Sequence, residues 1–168
     1  IPIFVKLSHE YTSISHLARE LQSGAQGLVL FGRRPDVDID LERLQLQTSW
    51  GLTSAGTIAH SWGTIMQVHG CCPSLPLAAS GGIASAEDVI KSLLAGADVA
   101  MVTSAIYREG VAVIETWIDG LSKFMERHQM TMIRDLQMSR PIRFASEEER
   151  ARYIKALSAM LDSQSLTS

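Results

Sequence analysis

Cysteine is nearly missing from this chain of 168 residues; only two occur, adjacent at Cys71 and Cys72. That number and spacing exclude both a disulfide framework and a Cys-x-x-Cys metal site, so the pair reads as reduced and structural. No two of the five histidines stand at His-x-x-x-His spacing, and no metal is expected. Positive charge is not in surplus. Fifteen Lys and Arg against eighteen Asp and Glu leave a net charge of -3, which argues against a nucleic acid or an anionic membrane surface as partner. No apolar run approaches the roughly 18 residues that span a bilayer, and no basic leader opens the chain. The expected compartment is therefore the cytoplasm. What is present is ordinary for a folded domain: 46% hydrophobic and 20% charged residues. The first residues, Ile1-Pro2-Ile3-Phe4-Val5, already read as the edge of a buried strand, which predicts a piece of a longer protein.

The pattern is a repeated strand and helix. Residues 3–7 are apolar and β-rich, then Ile14, Leu17, Ala18 and Leu21 recur at helical spacing up to Gly24. Residues 27–31 form a second strand, followed by a polar loop over 32–53 and a helix carrying Ile58, Trp62, Ile65 and Met66. Residues 75–79 form a third strand that runs into Ser80-Gly81-Gly82-Ile83. Ser85 and Asp88 are spaced as a capping box for a helix through Leu94, which Gly96 closes. Residues 98–102 form a fourth strand, ending at Thr103-Ser104-Ala105 ahead of a helix over about 111–128. Near-continuous apolar strands joined by helical crossovers predict an α/β fold with parallel strands buried on both faces. Residues 1–130 form this unit, and residues 131–168 read as a helical C-terminal tail. Two helices are expected in the tail: 131–137, and 146–161 with a Ser146/Glu149 capping box and an apolar face of Tyr153, Ile154, Leu157, Met160 and Leu161.

In such folds ligands sit at the carboxyl ends of the strands. Those ends carry Lys6, then Gly32-Arg33-Arg34, then Ser80-Gly81-Gly82, then Thr103-Ser104. Gly81-Gly82 lets backbone N–H groups approach an anion, and Ser104 adds a hydroxyl from the next strand. A bare Gly-Gly is often a tight turn, but its placement one β-α unit before Thr103-Ser104 matches the phosphate-binding units that end a (β/α)₈ barrel. Lys6 interrupts an apolar strand. A buried ammonium needs an anion or a ligand, whereas a strand end open to solvent would need none. Arg33 and Arg34 are suited to an anionic substrate or, equally, to pairing with Asp36, Asp38 and Asp40. His9 stands near Lys6 as a possible proton shuttle. Met125, Met130, Met132 and Met138 read as core or interface filler.

Taken together, Ile3-Phe-Val-Lys6-Leu-Ser8, Gly27-Leu-Val-Leu-Phe31, Gly51-Leu-Thr-Ser54, Ala79-Ser-Gly-Gly-Ile83 with Ala86-Glu-Asp88, Leu94-Ala-Gly-Ala-Asp98 and Val102-Thr-Ser-Ala105 resemble the second half of dihydroorotate dehydrogenase over residues 1–125. The resemblance implies the C-terminal half of a (β/α)₈ TIM barrel that binds FMN, with these strands as its fifth to eighth. It implies that Lys6 contacts the flavin ring and stabilises the negative charge of reduced flavin, a preorganised cation where charge develops. Thr53, Ser54, Gly81, Gly82, Thr103 and Ser104 would hold the FMN phosphate.

There are departures. Where the family has an Asn that binds the pyrimidine, this chain has Gly32 with Arg33 next to it, and these become the substrate-side candidates. Thr103-Ser104 stands where Gly-Thr is usual. The family's catalytic base, a Cys or Ser, lies upstream of the segment matching Ile1, and neither Cys71 nor Cys72 matches it. The pattern is similar to the divergent dihydroorotate dehydrogenase-like proteins.

The expected function is thus FMN-dependent hydride transfer from a dihydropyrimidine-like small molecule to flavin N5, in pyrimidine biosynthesis, with a second acceptor to follow. The chain is expected to form a homo-oligomer or to need an N-terminal half. Two alternatives stand beside this: a flavin-free phosphosugar barrel using the same loops, and a non-catalytic half-barrel that assembles through its sheet edges.

Overall fold

The computed structural model describes residues 1–33, 35–140, 151, 152 and 155. Four parallel strands form its sheet: β1 (Phe4–Leu7), β2 (Gly27–Leu30), β5 (Leu77–Ser80) and β6 (Val99–Met101), adjacent in that order. Between them run α1 (Ile14–Leu21), α2 (Ala59–Cys71) and α3 (Ala86–Ala95). After β6 come α4 (Ser104–Glu109), α5 (Val113–Arg127) and α6 (Ile133–Met138). The α/β class and the parallel sheet with helical crossovers are as the sequence predicts, and they match part of a TIM barrel.

Local signals set the helix ends. The Ser85 Oγ accepts from the Asp88 N–H at 3.1 Å, and the Asp88 carboxylate reaches back one residue further than a simple capping box, accepting from the Ala84 N–H at 2.9 Å. Gly96, at φ 125, ends α3 as the left-handed cap that the sequence predicts. Ser13 caps α1 through the His16 N–H.

Register divides the sheet into two faces. Leu7, Leu30, Ala79 and Ala100 lie in one row and turn toward the helices, where they join Leu28, Leu77, Ile58, Ile65 and Val68 in the core. Each buried Leu or Ile contributes about 1.5–3 kcal/mol. Lys6, Val29, Ala78 and Val99 form the row on the opposite face. Burial on both faces, expected from the sequence, fails at the outer strands: Phe4 is 52%, Val99 54% and Met101 40% exposed. Four strands curve around only part of a barrel interior, so nothing among the described residues covers these side chains.

The structure departs from the predicted polar loop at 32–53. Within that stretch stands an antiparallel hairpin, β3 (Asp36–Asp40) with β4 (Gln45–Ser49). Pairing Val37 with Thr48 and Ile39 with Leu46 puts the apolar residues on one face and Asp36, Asp38 and Asp40 on the other. Asp is depleted in strands, and the reversal uses Leu44 at φ 51 rather than a glycine, which hides the hairpin from composition. The helix α4 was likewise not anticipated. Met132 and Met138 are exposed rather than in the core.

The α6 segment packs Leu136 fully inside. Arg140, its side chain 11% exposed, donates to the Leu93 and Ala97 carbonyls at 2.9 and 2.6 Å and pairs with Asp98 at 3.1 Å, fastening the segment to the start of β6. The expected capping box at Ser146/Glu149 and the apolar face from Tyr153 to Leu161 lie outside the described residues, as does Arg34.

Candidate functional site

All four strands of the sheet are parallel, so their carboxyl ends fall on one side, and the loops that follow them gather there. Three of these loops are fastened to one another. The Thr53 N–H donates to the Ser104 Oγ at 3.0 Å, joining the loop before α2 to the start of α4. The Gly56 N–H donates to the Gly82 carbonyl at 2.8 Å, joining the same loop to the end of β5. Thr53, Ser54, Gly82 and Ser104, separated by up to 51 residues in sequence, therefore belong to one constellation.

The two glycines play different parts. Gly82, at φ 77, is buried against the loop; a Cβ there would collide with the Thr57 Oγ1 and come within 2.9 Å of the Ser54 carbonyl and the Thr57 N–H. Thr57 in turn donates its hydroxyl to the Ser54 carbonyl at 2.9 Å. Only glycine permits this close approach. Gly81, at φ 104, has nothing within 4 Å of where a Cβ would stand. Its backbone borders open space, and neither glycine's N–H donates to an acceptor among the described residues. The Gly81 N–H beside open space, with the Ser104 hydroxyl on the neighbouring loop, suits a phosphate, so the residues present fit that group.

Lys6 lies at the same end of the sheet, on the face opposite the helices, in register with Val29. It is exposed, which corrects the expectation of a buried ammonium; β1 is an outer strand here and its flank is uncovered. Its aliphatic stem runs beside Gly32, where a Cβ would stand 3.6 Å from the Lys6 Cγ. The Gly32 N–H donates to the Leu7 carbonyl at 2.7 Å, so a glycine at 32 keeps the space over Lys6 clear. Among the described residues the Lys6 ammonium has no hydrogen bond or ion pair.

Arg33 is engaged at the base of the hairpin, 3.5 Å from the Asp36 carboxylate and 5.9 Å from the centre of the Trp50 ring. This is the surface pairing that the sequence left as its alternative. Thr103 is exposed and makes no side-chain cap for α4. His9 stacks on Phe31, ring centres 3.8 Å apart, beside a cavity of about 250 Å³ between the β1–α1 loop and α2, lined also by Tyr11, Ser13, Thr64 and Gln67.

Three further residues, not predicted from the sequence, contribute to the site. Gly56 and Thr57 complete the loop closure, and their signal was the Ser54-Ala-Gly-Thr run directly after the recognised pair. Arg108 donates from Nη2 to the Thr53 carbonyl at 2.6 Å from 55 residues away, and nothing in its local sequence marks it.

Comparison with known proteins identifies a family. The profile of the dihydroorotate dehydrogenase family matches residues 1–125. The catalytic subunit of dihydroorotate dehydrogenase B (NAD(+)) from Lachnoclostridium phytofermentans is 30% identical over 139 residues, 80% of this chain and 46% of that protein. Dihydroorotate dehydrogenase A (fumarate) from Limosilactobacillus reuteri is 32% identical over 140 residues, 81% of this chain and 45% of its own length. Dihydroorotate dehydrogenase (quinone) from Rhizobium johnstonii is 28% identical over 144 residues, 83% of this chain and 40% of its own length. The chain thus spans less than half the length of the curated relatives it matches. Among the described residues no helix is long and apolar enough to cross a membrane.

Proposed function

This chain belongs to the dihydroorotate dehydrogenase family, and on that premise we propose that the whole protein is an FMN-dependent oxidoreductase of pyrimidine biosynthesis that oxidises a dihydropyrimidine-like substrate. The observation that carries the reading is the fastening of the 53–57, 81–82 and 103–104 loops at one end of a parallel sheet that also presents a lysine unpaired among the described residues.

Bound FMN would supply the hydride-accepting chemistry, at its N5. The chain's own residues do the rest. Ser54, Gly81, Gly82, Thr103 and Ser104 offer N–H and hydroxyl donors to the phosphate, with Thr53 holding the loop in place. Lys6 supplies a positive charge at the sheet end, where negative charge develops on reduction, and its ammonium is free to meet that charge because no carboxylate among the described residues holds it. Gly32 leaves room over the Lys6 stem for a planar substrate, with Arg33 next to it in the chain. The three relatives are named for three different acceptors, NAD(+), fumarate and quinone. Names that differ only in this way support a common half-reaction on the dihydropyrimidine side.

The uncovered Phe4, Val99 and Met101 support a second element of the proposal. The remaining strands of the barrel, or a second copy of the chain, pair with β1 and β6 and bury these side chains.

Titration with FMN, followed by flavin fluorescence and visible absorption, tests the reading. Saturable binding that is weakened by Lys6→Ala and abolished by Gly82→Asp is expected. A folded full-length protein that binds no FMN overturns it.

A further inference from the structure

We infer that Arg108 is the cation of the phosphate site, recognising the phosphate of FMN and discriminating it from flavins that lack one. The inference deepens the proposed function and rests on it. Three observations carry it.

First, Arg108 is tied to the candidate site itself. Its Nη2 donates to the carbonyl of Thr53, whose N–H donates to the Ser104 Oγ, so the guanidinium sits one peptide unit from the fastening between the two loops. Second, its charge is unmatched. Thr53 offers a neutral carbonyl, and among the described residues no carboxylate lies within ion-pair distance of Arg108. A guanidinium carries five N–H donors in a planar fork, and the Thr53 contact occupies one end of it, leaving further donors for a bidentate anion. Third, every other group that the described residues bring to this site is neutral. The glycine amides and the hydroxyls of Ser54, Thr103 and Ser104 donate hydrogen bonds but neutralise no charge, while a flavin phosphate carries close to two negative charges at neutral pH. Lys6 lies on the strand at the opposite edge of the sheet from the one preceding Ser104, with β2 and β5 between them. The ring and the phosphate thus each have their own cation.

Arg108 is exposed, so it adjusts to the ligand, and a charge-assisted fork on phosphate is the strongest contact such a position offers. Losing it should weaken FMN by about 10- to 100-fold. Riboflavin has the same ring and ribityl chain without the phosphate, and its affinity should not change.

The experiment is a parallel titration of the full-length protein and its Arg108→Gln and Arg108→Lys variants with FMN and with riboflavin. Gln keeps a donor for the Thr53 carbonyl and removes the charge; Lys keeps the charge and loses the fork. The expected result is a loss of FMN affinity in Arg108→Gln, a smaller loss in Arg108→Lys, unchanged riboflavin affinity in both, and a weaker salt dependence of FMN binding in the Gln variant. If Arg108→Gln binds FMN like the parent, or loses FMN and riboflavin equally, Arg108 only clamps the loop and the inference falls while the flavin reading stands. If the parent protein binds neither flavin, both fall together.

Discussion

Thr53 and Ser104 are 51 positions apart in the chain, yet the Thr53 N–H meets the Ser104 Oγ at 3.0 Å. This one hydrogen bond makes the end of the loop that follows β4 and the first turn of α4 parts of a single surface. It also couples the order of one loop to the identity of a side chain in the other.

Replacing Ser104 with Ala removes the acceptor for the Thr53 N–H. The expected cost is about 0.5–1.5 kcal/mol in urea unfolding, with a fall in FMN affinity larger than that cost alone explains, because the loop loses its register as well as a hydroxyl. Stability unchanged and FMN affinity unchanged would show that the bond holds nothing.

Gly82 is less forgiving. Alanine there would meet Thr57 and the Ser54 carbonyl while adopting a φ of 77, so Gly82→Ala should destabilise by about 2 kcal/mol or more. Gly81→Ala shares the strained φ but not the collision, and should cost less. Denaturant midpoints for the two variants test the ranking; equal losses would mean that the close approach of the 54–57 loop does not matter.

His69 gives the stability a pH dependence. Burial holds its pKa below the ordinary 6.5, the Arg140 guanidinium lowers it further, and Asp98 opposes them. A lowered folded-state value means that the unfolded chain takes the proton first, so this contribution is complete above 6.5 and declines as pH falls below it. Unfolding free energy measured from about pH 7.5 down to about pH 5.5 should fall more steeply in the parent than in His69→Gln. Parallel slopes would remove His69 as the source.

Cys72 should be chemically silent. Burial, reinforced by the hydrogen bond shared with Cys71, pushes its thiol up to about 11, and the side chain is almost wholly enclosed. In a Cys71→Ser variant at neutral to mildly alkaline pH, iodoacetamide should leave Cys72 unmodified until the protein is unfolded in urea. Prompt labelling of the folded variant would contradict this.

Much of the architecture was legible because its signals are local. The Ser85/Asp88 spacing, the Gly96 stop and the apolar runs at 27–31 and 75–79 act over a few residues, and the structure places a cap, a helix end and two strands there. The β3–β4 hairpin was also written in the sequence, in the alternation Asp36-Val37-Asp38-Ile39-Asp40. Its unusual strand composition and its non-glycine turn disguised it.

By itself the sequence determined the succession of strands and helices, the parallel sheet that succession requires, and the residues that stand at the strand ends. Each of these follows from short-range periodicity and from the steric rules of crossover connections. Only the tertiary structure decided which loops touch. The exposure of Lys6 depends on what covers β1, and the engagement of Arg33 depends on the hairpin bringing Asp36 and Trp50 beside it. The reach of Arg108 to Thr53 depends on α4 and the loop before α2 arriving at the same end of the sheet. Contacts between residues 50 or more positions apart leave no mark on the spacing around either one, and they form only when the intervening chain has folded.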